Sequence, residues 1–139
     1  AADKGAMLAA IRRALRPGGI FVSIDPLFYN PAIGAYRLLA TKVRSESESP
    51  LRCRDLRLVR NYFKDVKHRE FWLLTLALFL KYFLVDRIHP NQDRYWKRIF
   101  HETPASLRWW RPLQAADRLL CRAPLLRWLS WNIVMWGTK

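Results

Sequence analysis

The chain has little cysteine, little histidine and few acidic residues, and each shortage excludes something. Only Cys53 and Cys121 are present, far apart and outside any Cys-x-x-Cys. That leaves neither a disulfide framework nor a zinc-ligand spacing, and a reducing compartment is the default. His68, His89 and His101 are scattered, with no His-Glu-x-x-His, so they read as surface or packing histidines rather than metal ligands. Acidic side chains number 11 against 25 lysines and arginines, a net charge of +14 over 139 residues. Such an excess favours polyanionic partners or an anionic membrane surface and says nothing of fold. A secretory signal pattern is also missing. The chain opens on Ala1-Ala2-Asp3, without an initiator methionine, and is almost at once inside an amphipathic helix, an opening expected of a fragment whose N-terminal part is missing.

A transmembrane run is lacking too. The most apolar stretch, Phe71 to Leu80 with Val85 closing it, predicts a helix over 71–85. Its length would be about 22 Å, short of the roughly 30 Å hydrocarbon core of a bilayer. Lys81 lies inside it. A buried or partner-facing helix and an interfacial membrane helix both suit this stretch.

What is present is well punctuated, and the stretch around which it is organised is Leu15-Arg16-Pro17-Gly18-Gly19-Ile20-Phe21-Val22-Ser23-Ile24-Asp25-Pro26. Before it, Asp3 caps a helix whose apolar stripe is Leu8, Ile11 and Leu15, with Arg12, Arg13 and Arg16 at the end where cations suit the helix dipole. Pro17 stops this helix, and Gly18 or Gly19 takes the left-handed turn. The short β-branched run Ile20–Ile24 then predicts a strand covered on both faces.

Further on, Pro26 to Pro31 is an extended aromatic segment, and the spacing predicts a helix over Ile33–Val43. Ser45–Pro50 is a polar linker. A helical period returns over Arg54–Phe63, and Val66–Phe71 reads as an edge strand, because Val66, His68 and Glu70 share one face. Helices are predicted at Arg94–His101 and Leu113–Arg122, the second started by Pro112 and stopped by Pro124, with Trp109-Trp110-Arg111-Pro112 as an aromatic-basic loop. Trp131–Gly137 reads as a final buried strand.

A helix ending in Leu-Arg-Pro-Gly-Gly, an apolar strand and then Asp25-Pro26 resembles the post-cofactor segment of class I S-adenosylmethionine-dependent methyltransferases. Asp55-Leu56-Arg57-Leu58-Val59-Arg60-Asn61-Tyr62-Phe63 is similar to the helix before the sixth strand of that family, with Cys53 where the family often has a Thr or Ser cap. The resemblance implies an α/β fold: the C-terminal part of a Rossmann-like methyltransferase sheet, comprising its last three strands. The final strand would run antiparallel between the other two. Residues 1–139 would form one part-domain with a helical insertion at 72–129.

The family binds S-adenosyl-L-methionine through a Gly-x-Gly-x-Gly loop and an acidic residue at the end of the second strand. Neither is present here, so the cofactor belongs to the complete protein, and this chain alone is expected neither to bind it nor to catalyse transfer. What remains resembles the substrate side. Ligands of open α/β sheets lie outside the carboxyl ends of the strands, which nominates Asp25, Tyr29, Asn30, Tyr36 and Arg37 for an acceptor site. Asp25 would accept from a substrate hydroxyl, act as a base, or simply serve a turn or helix cap. The acceptor is expected to be a small molecule, hydrophobic or lipid-linked, in a cytoplasmic protein, peripheral at the membrane if the 71–85 helix is interfacial. The alternative is a basic, aromatic-rich module that binds membrane surfaces without catalysis. Nucleic acid ranks lower, because the basic residues are spread over every segment and no nucleic-acid motif is present.

Overall fold

The computed structural model describes residues 3–39, 49–74, 76–89, 91 and 105–139; of 78, 79, 105–107 and 109 it describes the backbone alone. The helix expected over Arg94–His101 and most of the Ser45–Pro50 linker lie outside the described residues.

Helix α1 spans Lys4–Ala14. The Asp3 carboxylate accepts from the N–H groups of Gly5, at 2.9 Å, and Ala6, at 3.2 Å. Gly18 takes φ +73°, which only glycine adopts at little cost, and the chain turns into strand β1, Ile20–Pro26. Asn30 caps helix α2, Pro31–Leu39, with Pro31 in its first turn, where a missing N–H leaves no bond unmade. The part of the expected helix beyond Leu39 lies largely outside the described residues.

Helix α3 spans Cys53–Tyr62. Its cap position is Arg52, one residue earlier than the sequence implied, and the Asp55 carboxylate accepts the Arg52 N–H at 2.8 Å. The poor capping ability of Cys53 is therefore immaterial, since a carboxylate three positions into the helix reaches back instead. Strand β2 follows, Lys64–Phe71, with an irregular register between Lys64 and Lys67 where Asp65 has φ +50°.

Two expectations for the insertion are corrected. Helix α4 is Leu76–Leu84, five residues shorter at its start than expected. Phe71 is still paired with Asn132 in the sheet, and Trp72 has φ +67°, outside helical geometry. Helix α5 is Ala105–Leu120 and runs through Trp109-Trp110-Arg111-Pro112, which is not a loop. Proline deletes one helical hydrogen bond and does not forbid the helix where packing holds both halves. Here Trp110 lies edge-on to Trp72 at 5.7 Å, and Asp117 accepts the Leu74 N–H at 2.5 Å. A single turn, α6 (Pro124–Arg127), leads to strand β3, Asn132–Thr138.

The sheet order is β1-β3-β2, with β3 antiparallel to both neighbours, so the two outer strands run in one direction. The final strand thus lies between the other two, as the resemblance implies, with Ile133 to Met135 paired with Asp25 to Ser23. Paired residues point to one face. On that face Phe21, Ile133 and Met135 are buried against Leu8 of α1 and Leu56 and Val59 of α3, and Phe21 stacks on Phe63 at 4.6 Å. Gly137 permits this approach: a Cβ there would stand 3.0 Å from Val66 Cγ2 and 3.1 Å from the Lys64 carbonyl oxygen.

The opposite face of β1 corrects the sequence reading. Ile20, Val22 and Ile24 are 64%, 60% and 66% exposed, so this strand is covered on one face only among the described residues. Its β-branched composition is that of a strand buried on both.

A second apolar cluster joins Ile33 of α2, Leu76 and Tyr82 of α4, and Trp131. Among the described residues no helix is long and apolar enough to cross a membrane.

Lys4 and Asp55 tie α1 to α3 at 2.7 Å. Burial pushes the Asp55 carboxyl up, but the hydrogen bond and charge of Lys4, the Arg52 N–H and nearby Arg54 outweigh it and hold the carboxyl below its ordinary 3.8. A carboxylate shifted down on folding stabilises above its unfolded value, and that contribution fades as pH falls through the lower folded value. Asp55→Asn is therefore expected to flatten the loss of stability below about pH 4. Urea midpoints measured across the acid range decide it, and identical acid limbs in parent and variant would exclude this role.

Candidate functional site at the carboxyl ends of the outer strands

The five residues nominated from sequence do not converge on one point. Asp25 stands near the carboxyl end of β1, half-buried, and accepts from the Ser23 hydroxyl. The Tyr29 hydroxyl accepts the Cys53 N–H at 3.1 Å, and its ring meets Phe28 and Trp128 edge-on at 5.7 and 6.1 Å. Asn30 is buried, its amide NH2 donates to the Leu129 carbonyl, and its Oδ1 accepts the N–H groups of Ala32 at 2.9 Å and Ile33 at 3.2 Å. It is thus a cap and a cross-link to the segment before β3, which leaves it little capacity for a ligand. Tyr36 turns the other way, tilted on Trp131 at 5.9 Å, and Arg37 follows it on α2, half-buried.

The covered face of the sheet brings together residues that the sequence did not nominate. Asp25, Ile133 and Glu70 form one row across the three strands. The carboxylate-bearing positions are then about 10 Å apart, twice the strand spacing. Glu70 is 5% exposed and its Oε1 lies 2.7 Å from His68 Nδ1, a pairing that puts the proton on Nδ1. The His68 ring is 6.0 Å from that of Trp128, so Trp128 bridges Tyr29 of one outer strand's exit to His68 of the other.

Beside β2 an open cleft of about 710 Å³ separates His68–Trp72 from α5 and α6. Asp117, Arg118, Cys121 and Arg122 line one wall and Arg69 and Arg127 join it. Burial pushes the Cys121 thiol above its ordinary 9.0; the Ser130 hydroxyl at 3.3 Å opposes this, and Asp117 and Glu70 add to the rise. The rise favours the neutral thiol of Cys121 over the thiolate. The Arg127 Nε is buried, with no hydrogen-bond partner among the described residues. An unmade bond of that kind costs about 1–3 kcal/mol.

On the far side of the Trp72–Trp131 contact, centroids 5.7 Å apart, is a second, almost wholly apolar groove of about 190 Å³. It runs between Ile33, Tyr36 and Leu39 of α2 and Leu76, Leu80 and Leu84 of α4, with Trp131 at its floor. Among the described residues no three His, Cys, Asp or Glu side chains are grouped to hold a metal ion.

One signal for the missed residues was present in the sequence. The face of β2 that alternation turns inward carries His68 and Glu70, and a strand that buries a carboxylate must give it a partner. The cleft itself joins β2 to residues some fifty positions later, which spacing alone does not reveal. Comparison of the chain with protein-family models, curated proteins and solved structures finds no match.

Proposed function

We propose that the chain is the substrate-side, C-terminal part of a class I S-adenosylmethionine-dependent methyltransferase whose acceptor is a hydrophobic or lipid-linked small molecule. The observation that carries the reading is the sheet: a last strand antiparallel between two strands of common direction, after a helix–Pro-Gly-Gly–strand passage. Among the described residues one apolar face of β1 is bare and its outer edge is unpaired, which fits a further strand and covering helices supplied by a cofactor half. The residues present do not suit the cofactor itself, because the glycines at 5, 18, 19, 34 and 137 form no Gly-x-Gly-x-Gly loop. This chain's part is to position and shield the acceptor. The apolar groove between α2 and α4 suits a hydrocarbon portion, with Tyr36 on its wall. Asp25 and Tyr29 stand at the strand exits, where a polar end of the acceptor would lie.

The coding sequence upstream of Ala1 and the product of the complete reading frame test this. A Gly-x-Gly-x-Gly strand–turn–helix upstream, with S-adenosylmethionine retained in equilibrium dialysis by the whole product, is the expected outcome. A whole product that lacks the motif and retains no cofactor would end the reading.

A second reading, a membrane-surface module without catalysis, rests on the exposed side of α4. Leu84 and Val85 are 67% and 70% exposed, beside Lys81 and close to Arg87. Salt-sensitive flotation with anionic vesicles that Leu84→Asp abolishes, together with no cofactor binding by the whole product, would favour it. The same flotation with cofactor binding would describe a methyltransferase peripheral at a cytoplasmic membrane face.

A further inference from the structure

We propose that the cleft between β2 and the α5–α6 corner is a binding site for a phosphate-class oxyanion, with Arg127 as its anchor. The inference does not depend on the methyltransferase reading. Four arginines, Arg69, Arg118, Arg122 and Arg127, line this one cleft, and among the described residues none of them is in an ion pair. Both carboxylates in the same lining are engaged elsewhere: Glu70 on His68 at 2.7 Å, Asp117 on the Leu74 N–H at 2.5 Å. Their charge tempers the cleft and does not cancel its four cations.

Arg127 distinguishes the cleft from an ordinary basic surface. It is half-buried, its guanidinium carbon lies 5.7 Å from the Trp128 ring, and its Nε is closed off from solvent with no acceptor among the described residues, which holds the side chain with only its end fork free. The two terminal nitrogens at the end of an arginine are one of the two forks that take a tetrahedral or planar oxyanion by paired N–H···O bonds. With the Nε edge closed off, a doubly charged group in the cleft would meet that end fork, while the exposed Arg118 and Arg122 would close on it from α5 and its end. Lysine would not serve at position 127, because an ammonium lacks the fork.

The ligand's oxyanion belongs either to a soluble phosphate-bearing molecule or to a lipid headgroup. Calorimetric titration of the full chain with pyrophosphate, in buffers matched for ionic strength with sodium chloride, tests the site. Saturable binding is expected, weakened about tenfold or more by Arg127→Gln, the factor that goes with losing one charge-assisted pair. Arg127→Lys would be weakened nearly as much. Arg118→Gln with Arg122→Gln changes only exposed side chains, so it weakens binding with the far-ultraviolet circular dichroism melt unchanged and keeps the test clear of misfolding. Arg12→Gln, on exposed α1, is the control and stays at parental affinity. Competition by vesicles containing phosphatidic acid would assign the oxyanion to a headgroup, and absence of competition to a soluble molecule. No heat beyond the chloride blank, or equal affinity in the Arg127, Arg118/Arg122 and Arg12 variants, would overturn the proposal.

Discussion

Ile133→Ala is expected to destabilise the chain by about 2–5 kcal/mol, the range for truncating a buried branched side chain in a core that does not collapse around the gap. Ile133 is fully buried and sits mid-sheet on β3, flanked by Asp25 and Glu70. The groups around it are held by the backbone: the Leu27 N–H donates to the Trp131 carbonyl at 2.7 Å just beyond the strand, so the neighbouring segments cannot easily move inward. Domains are stable by only about 5–15 kcal/mol in total, so one such loss is a large share. Urea unfolding followed by tryptophan fluorescence reads it as a lower midpoint at unchanged slope. Val22→Ala, on a side chain 60% exposed, is the comparison and should move the midpoint little. Equal shifts in the two variants would mean that the sheet's covered face is not the core.

The second large effect concerns the other face. The chain is expected to self-associate despite its net charge of +14, through the outer edge of β1, which is unpaired among the described residues, and the exposed Ile20, Val22 and Ile24. An apolar strand edge free to pair is a template for another chain, and electrostatic repulsion between basic surfaces is screened beyond about 8 Å at physiological salt. Val22→Lys combined with Ile24→Lys places two charges on that face and should shift sedimentation velocity from large species to a single slow boundary. Leu125→Lys is the matched control, since Leu125 is 85% exposed on α6, away from the sheet. If both substitutions restore a monomer alike, added charge rather than this face is responsible; a parent that already sediments as a monomer removes the expectation altogether.

The elements that the sequence displays openly are those closed by local chemistry. Asp3, Pro17 and Gly18 bound α1 and deliver β1 without help from distant residues, and the apolar run Trp131–Gly137 leads to β3. Where the reading departs from the structure, a distant partner has overruled a local signal. Pro112 looks like a helix start until Trp72 and Leu74 hold α5 on both sides of it. Phe71 to Leu74 looks helical until β3 claims Phe71. Asn30 is instructive in the other direction: nominated for the acceptor site, it is the cap of α2, and the Asn-Pro ahead of an apolar period is a cap signature that the reading passed over. Of the site, the strand-exit position of Asp25 was readable, while the cleft required β2, α5 and α6 to meet.

The order of the strands sets when the sheet can exist. β3 is the middle strand, yet it follows β2 only after the whole stretch from Trp72 to Trp131. During synthesis at about 5–20 residues per second, β1 and β2 wait for several seconds with nothing between them. Until then each lacks its partner on the β3 side, and closing the sheet afterwards must meet the loop entropy of two long connections at once. The nascent chain therefore passes through a window in which its strands are at their most exposed, and its yield in a cell depends on what shields them until the last strand emerges.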